Sequence, residues 1–368
     1  MEAVVAIILS LATGARIEVA DLMGQLAAND VVFVGEEHDN RAGHEAELAL
    51  LQGLHAERKD VVLSLEMIER DCQGTLNDWL AGRINDEQLA ANARLWPNHA
   101  TDYAPLLAYA KEHKLDVIAS NVPRPMAKVV SEAGASAVAG LLHSPRRTTA
   151  DADRYRDRFF EQMKEHMGSA GDERLLRFYA AQCLKDDAMA ESIADWLAAH
   201  PARKPLVLHM AGRFHVEEGL GTVARLLARR PLARTAVVLL PSVEKPDAAK
   251  AGDFTGAAHF VWVCAQNPPK AAPVEEEKPR AGLGIMPDYA AGEDPGVLIG
   301  SVVPEGAAEK AGLRAGDRLL ALDGKRLENV RGYMAVLAEC KPGQQVKLLV
   351  ERETVELTIT ATLGVSRR

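Results

Sequence analysis

Six short apolar runs, rich in valine and leucine, recur at residues 31–34, 61–65, 117–119, 206–208, 236–240 and 260–263. They barely alternate with polar residues, so each suits a strand covered on both faces; a half-exposed strand would show a polar side chain at every second position. Amphipathic stretches separate them. Leu48, Leu51 and Leu54 mark one helical stripe, and Met189, Ile193 and Leu197 another. Buried strands alternating with helices predict an α/β domain, a mainly parallel sheet flanked by helices. Residues from about 140 to 200 hold no strand-like run and are expected to form a wholly helical cap over that sheet.

At 368 residues the chain is too long for one ordinary core. The boundary falls in NPPKAAPVEEEKPR, residues 267–280, whose four prolines and cluster of charges leave little to bury. The expected organisation is an α/β domain over 1–265, a linker over 266–280 and a small β-rich domain over 281–368. That last part repeats short strand-like segments (GVLIGSVV, DRLLALDG, QVKLLVERE, VELTITATL) around one helical stretch.

A net charge of −9 argues against a nucleic-acid partner, which demands a dense basic surface. The four cysteines, Cys72, Cys183, Cys264 and Cys340, are far apart and form no C-x-x-C pair. Residues 3–12 are apolar but too short to span a bilayer, and they lack the basic flank of a signal peptide, so a first strand is expected there.

Parallel sheets bind ligands beyond the carboxyl ends of their strands, where turns lead into helix N-termini. Reading past each run collects Gly35, Glu36 and His38 after the first; Glu66 at the end of the second; Asn121 and Arg124 after the third; and His209, Gly212, Arg213 and His215 at the fourth. G-x-x-H occurs twice, at 35–38 and 212–215, each time after an apolar strand. Two imidazoles from His38 and His215 with the Glu66 carboxylate would make a three-ligand metal site with open positions, as in catalytic zinc or non-haem iron centres. Glu36 would then act as a base on metal-bound water. His44 is placed in the first turn of the next helix, not among the ligands. Stepping back along the Met189 stripe reaches Asp186 and Gln182, polar groups that belong either to solvent or to the crevice under the cap. Tyr103, Tyr155, Tyr179 and His166 have the chemistry of haem ligands, and their spacing selects none of them.

The pieces VVFVGEEHDN, LSLEM, WPNHATDYAPLLAYAKEHKLDVIASNVPR, QCLKDDAMAESIA and HMAGRFHVEEGLG, taken in order, resemble the ChaN-like haem-binding family of the wider Tiki and erythromycin-esterase group. This resemblance implies an extracytoplasmic, periplasmic or envelope-associated protein of bacterial haem or iron uptake, often lipid-anchored; the chain shows no lipobox cysteine near its start. It also implies that the paired motifs, with Glu66, follow the metal-binding pattern of the Tiki-type proteases. Residues 281–365 resemble a PDZ domain, with Gly282, Leu283, Gly284 and Ile285 as the carboxylate-binding loop, followed by SVVPEGAAEKAGLRAGDRLLALDGKRL. Expected partners are a protein C-terminus or extended peptide at that domain and a second copy of the chain, with no transmembrane span.

Three functions follow, in this order of preference: a haem- or iron-binding protein with a PDZ docking module; a metal-dependent hydrolase, a peptidase or esterase with zinc as the model ion; and a scaffold in which only the PDZ domain is active.

Overall fold

The computed structural model describes residues 7–151, 153–167, 172–268, 281–288 and 295–366; linker residues 269–280 and the side chain of His166 lie outside the described set. The chain divides into two compact units, Met1–Pro268 and Pro269–Arg368.

The first unit is built on nine strands: β1 (Ile7–Ser10), β2 (Arg16–Ile17), β3 (Val31–Glu36), β4 (Val61–Glu69), β5 (Asp116–Asn121), β6 (Leu206–Gly212), β7 (Thr235–Leu239), β8 (Ser242–Val243) and β9 (Phe260–Ala265). They lie in the order β2-β1-β9-β7-β3-β6-β4-β5, with β8 beside β9. From β9 to β5 every pairing is parallel, and β1 adds an antiparallel margin. Its helices are α1 (Val19–Ala27), α2 (Arg41–Glu57), α3 (Gln73–Leu80), α4 (Asp86–Asn92), α5 (Ala104–Glu112), α6 (Arg124–Ala133), α7 (Arg154–Met167), α8 (Asp172–Ala199) and α9 (Gly221–Arg229).

The continuous apolar runs are explained by burial on both sides. In β3, Val32 and Val34 enter one core with Leu50, Leu51 and Leu54 of α2, while Val31 and Phe33 enter the other with Ile193 of α8 and Leu226 of α9. Each such side chain contributes roughly 1.5–3 kcal/mol by leaving water. Helix α2 starts where Asn40 Oδ1 accepts a hydrogen bond from the Gly43 N–H at 2.6 Å, an N-cap. At the sheet margin, the Gln73 side-chain amide donates to Val117 O at 2.9 Å and accepts from Ala119 N at 2.8 Å. It thereby pairs the edge of β5 as a neighbouring strand would.

The segment from 140 to 200 is not wholly helical, since residues 140–151 are turns and loop ahead of α7, and its long helix α8 does two jobs. The C-terminal half of α8 packs Ala190, Ile193 and Ala194 on the sheet, so it is part of the ordinary helical layer. The stretch before Ala190 instead packs Leu184 and Ala188 against α6, and Tyr179 and Cys183 against Tyr155 and Phe159 of α7.

Strand order also fixes where a crevice opens. The neighbours β3 and β6 are parallel, yet the helices that follow them, α2 and α9, pack on opposite faces. Their connections must part at the carboxyl ends of the two strands, the place where a doubly wound sheet generally takes its ligand.

In the second unit, β10 (Ala281–Gly282) pairs with β17 (Gly364–Val365). An antiparallel sheet runs in the order β11 (Ile285–Pro287), β12 (Val297–Val302), β13 (Arg318–Leu322), β15 (Gln345–Arg352), β16 (Val355–Thr362), with β14 (Lys325–Arg326) beside β13. Helices α10 (Ala307–Lys310) and α11 (Val330–Ala338) complete it. Leu283, Val297, Leu319, Leu337 and Leu348 share its core. Arg352 donates to both carboxylate oxygens of buried Asp317 at 2.7 Å.

Candidate functional site

The strands β3 and β6 are in register, Gly35 beside Ala211 and Glu36 beside Gly212, so the two G-x-x-H turns leave the sheet together. Both motif glycines are places of close approach. A Cβ on Gly35 would come within 2.6 Å of Leu239 Cδ2 and 2.7 Å of Val216 Cγ2, where the β6 turn packs on β3. A Cβ on Gly212 would come within 2.6 Å of His38 Nε2 and 3.6 Å of Glu66 Oε2. The strand end is thus bare so that the His38 imidazole can lie across it.

Each motif histidine is oriented by a carboxylate on its Nδ1. His38 Nδ1 lies 2.7 Å from Glu36 Oε1, which also accepts the Tyr103 hydroxyl at 2.9 Å. His215 Nδ1 lies 2.7 Å from Asp186 Oδ1 of α8, and its Nε2 lies 3.3 Å from Glu66 Oε1. Asp186 is itself held by the Thr222 hydroxyl at 2.8 Å and the Tyr155 hydroxyl at 2.6 Å. Glu66 Oε2 accepts the Gly212 N–H at 2.7 Å. The Gln182 amide nitrogen reaches both ring nitrogens of His215 at 3.2 Å and Tyr155 Oη at 3.3 Å. The polar end of the α8 stripe therefore faces the crevice, and Asp186 is fully buried.

Charge in this cluster is set by competition between burial and partners. Burial alone would push His215 down, but the charges of Glu66 and Asp186 and their hydrogen bonds lift it to about 10. Burial would raise Glu66, yet the charge and hydrogen bond of His215 hold it well below the usual carboxylate range. Burial is likewise overcome at His38, raised by the Glu36 hydrogen bond and the charges of Glu66 and Glu36. Three residues before Gly212 on β6, buried His209 bonds Ser64 Oγ through Nδ1 at 2.9 Å, its Nε2 lacks a hydrogen-bond partner, and burial pushes it down to about 4.

Glu36 also belongs to a second cluster on its far side. Its Oε2 lies 3.1 Å from His44 Nδ1, which is 3.0 Å from Glu47 Oε2. Among the described residues, Glu36, His44 and Glu47 are the group whose candidate ligand atoms all lie within 4.8 Å of one another. His38, Glu66 and His215 are neighbours that do not close to that spacing.

The family model for haem-binding uptake, Tiki superfamily, ChaN matches residues 22–226, more than half of the chain. The chain belongs to this ChaN family. A PDZ domain model matches residues 275–363. The ChaN domain is similar in fold to a solved structure described as cofacial heme binding to ChaN of Campylobacter jejuni, at a TM-score of 0.55 and 18% identity, covering 70% of this chain and 95% of that one. The chain is also similar to RETICULATA-RELATED 5, a chloroplastic protein of Arabidopsis thaliana, at 25% identity over 258 residues, 65% of this chain and 34% of that protein. The PDZ portion is 34% identical over 86 residues to protease RseP of Yersinia pestis, 23% of this chain and 18% of RseP. The chain thus spans less than a fifth of that protease's length and about a third of the plant protein's.

Other residues of the ChaN domain expected at the crevice have local partners of their own. Asn121 is buried at the end of β5, with its Oδ1 accepting the Val122 N–H at 2.8 Å. Arg124 opens α6 and lies 3.5 Å from Glu69, and Arg213 donates to Glu217. In the PDZ domain, Gly282 pairs with Gly364, Leu283 is fully buried, and Gly284 adopts φ +76°, a left-handed conformation that glycine tolerates best. Ile285 then begins β11, an edge strand of its sheet.

Residues that the sequence reading left out of the cluster are Glu47, Thr222, His44 and Trp96, whose ring meets His38 edge-on at 4.8 Å. A signal for two of them was present. Going back from Leu54 and Leu51 along the buried stripe of α2 reaches Glu47 and His44, the same apolar-to-polar change that had marked Asp186 and Gln182 on α8.

Proposed function

We propose that this chain binds haem at the carboxyl edge of β3 and β6, outside the cytoplasm and in the service of iron uptake, with the PDZ domain docking the C-terminus or an extended segment of a partner. The observation that carries this reading is His38. Its side chain is 43% exposed, and its Nδ1 is tied to buried Glu36, so the ligand atom it offers is Nε2. A carboxylate on Nδ1 fixes ring orientation and makes Nε2 a better donor to iron. The tyrosines with haem-ligand chemistry fit less well. Tyr103, Tyr155 and Tyr179 are buried, and their hydroxyls are engaged by Glu36, Asp186 and the Asp151 carbonyl respectively. Haem, when bound, supplies the iron. The chain supplies the His38 nitrogen, the Trp96 ring beside it, and the rim arginines Arg124 and Arg213 as cations for propionates. Among the described residues no helix is long and apolar enough to cross a membrane.

Titrating the purified full chain with haem should develop a shifted Soret band that His38→Ala loses. A spectrum identical to that of free haem would overturn the reading.

A second reading is a metal-dependent hydrolase, favoured by the carboxylate on the Nδ1 of both His38 and His215, the arrangement that orients histidines toward a metal. Here His38, His215 and Glu66 would hold iron or zinc and Glu36 would serve as base, a role it would share with its bonds to Tyr103 and His38. Metal analysis of the His38→Ala/His215→Ala variant tests it; unchanged metal content would remove it.

A further inference from the structure

The far side of Glu36 offers chemistry that the haem reading does not use. Glu36, His44 and Glu47 are 2%, 6% and 0% exposed, so two carboxylates and an imidazole converge out of reach of bulk water. The arrangement comes from local geometry. His44 and Glu47 stand three residues apart on the buried stripe of α2 and share its sheet-facing side. Glu36 ends β3, the strand that α2 follows.

The tautomer of His44 is decided by its other nitrogen. Nε2 lies 3.2 Å from the His38 carbonyl oxygen, which can only accept, so Nε2 carries the hydrogen. Asp102 Oδ2, 3.6 Å away, lies near the same nitrogen. In the neutral ring Nδ1 is therefore a bare lone pair, and it points at Glu47 Oε2 at 3.0 Å and Glu36 Oε2 at 3.1 Å. Three lone pairs facing one another repel unless something positive lies between them. A proton on Nδ1 forms one good hydrogen bond, to Glu47. Glu36 Oε2 and Glu47 Oε1 remain buried without a hydrogen-bond partner. A cation would satisfy the converging atoms together. Adjacent ligands around an octahedral ion at a bond length of ~2.1 Å are ~3.0 Å apart, which the two measured separations match.

We propose that Glu36, His44 and Glu47 form a divalent-cation site of their own, distinct from the His38, Glu66 and His215 cluster. One imidazole nitrogen and two carboxylates suit a first-row ion such as Mn2+, Fe2+ or Zn2+. The two sites share Glu36, through Oε2 here and through Oε1 toward His38 and Tyr103. An ion at the inner site would hold that carboxylate in place and, through it, the orientation of His38. The inner site does not depend on haem being the outer ligand.

The test is Co2+ titration of the full chain without haem, followed by its visible d–d bands, with Zn2+ as competitor. Wild type and Glu66→Gln should both show the bands, while Glu47→Gln should lose affinity at least tenfold with its thermal melt retained. If Glu47→Gln fails to fold, His44→Asn is the substitute, with the same expected loss. Overturning results are an absence of Co2+ bands in wild type up to millimolar metal, or unchanged affinity in a folded Glu47→Gln or His44→Asn. Loss of the bands in Glu66→Gln alone would also overturn the inner site and place the metal at the outer cluster. Haem binding is read separately from the Soret band, so failure of either proposal leaves the other standing.

Discussion

The two motif glycines open the same motif in neighbouring strands but stand one residue out of register, and replacing each by alanine should have opposite consequences. In Gly212→Ala the new methyl carbon would start 2.6 Å from His38 Nε2 and 2.8 Å from Cε1, with Glu66 Oε2 at an ordinary 3.6 Å. Restoring a van der Waals separation requires the ring to retreat by about 1 Å. His38 is half in solvent and can swing away, so folding stability should fall by under about 1 kcal/mol. The retreat turns Nε2 off its axis and strains the bond to Glu36, and disturbances of this kind typically cost ~10–100-fold in ligand affinity. In Gly35→Ala the methyl would meet Leu239 Cδ2 at 2.6 Å, Val216 Cγ2 at 2.7 Å and the Arg213 Cα at 3.1 Å. Leu239 and Val216 are fully buried, so nothing can move cheaply, and overpacking should cost about 1–3 kcal/mol. Urea unfolding and haem titration of both variants separate the effects. Wild-type haem affinity in Gly212→Ala would refute the placement of His38 at the ligand. A loss of several kcal/mol in the same variant would show that the ring is locked by packing rather than free to yield.

Other outcomes follow from the same geometry. His209 is held to about 4 by burial, whereas in the unfolded chain it takes up its proton near 6.5. The unfolded state therefore binds more protons between these values, so stability should fall by up to about 3 kcal/mol as pH drops from 6.5 to 4. His209→Gln should flatten that limb in urea melts; an identical pH dependence would show that His209 does not carry it. Tyr103→Phe removes a buried donor to Glu36 and should destabilise by about 1 kcal/mol, and a neutral or stabilising result would mean that Glu36 is satisfied without it. A fluorescent peptide with a free C-terminal carboxylate should bind the full chain at least about tenfold more tightly than its amidated form, by anisotropy. Equal affinities would count against the Gly282–Ile285 loop as the carboxylate cradle.

Much of this architecture could be argued from the residue pattern, because hydrophobic burial is written locally. Strands covered on both faces are apolar throughout, and β3, β4, β6 and β7 were legible for that reason. The repeat of G-x-x-H was legible too, since a turn at a strand end needs only a few consecutive residues. Helix α8 was harder, because one amphipathic stretch serves a sheet layer at one end and a crevice at the other, and periodicity records only that one side is buried.

By itself the sequence determined the alternation of strands and helices, the separate C-terminal domain and the residue types available at each strand end. Only the tertiary structure decided which of them meet. That β6 lies beside β3, bringing Gly212 under His38 and Asp186 onto His215, depends on strand order, which no local pattern encodes. His44 shows the difference most clearly: in sequence it opens a helix, and in the fold its Nδ1 points between two buried carboxylates. The carbonyl that fixes its tautomer belongs to His38, which only the turn after β3 brings within reach.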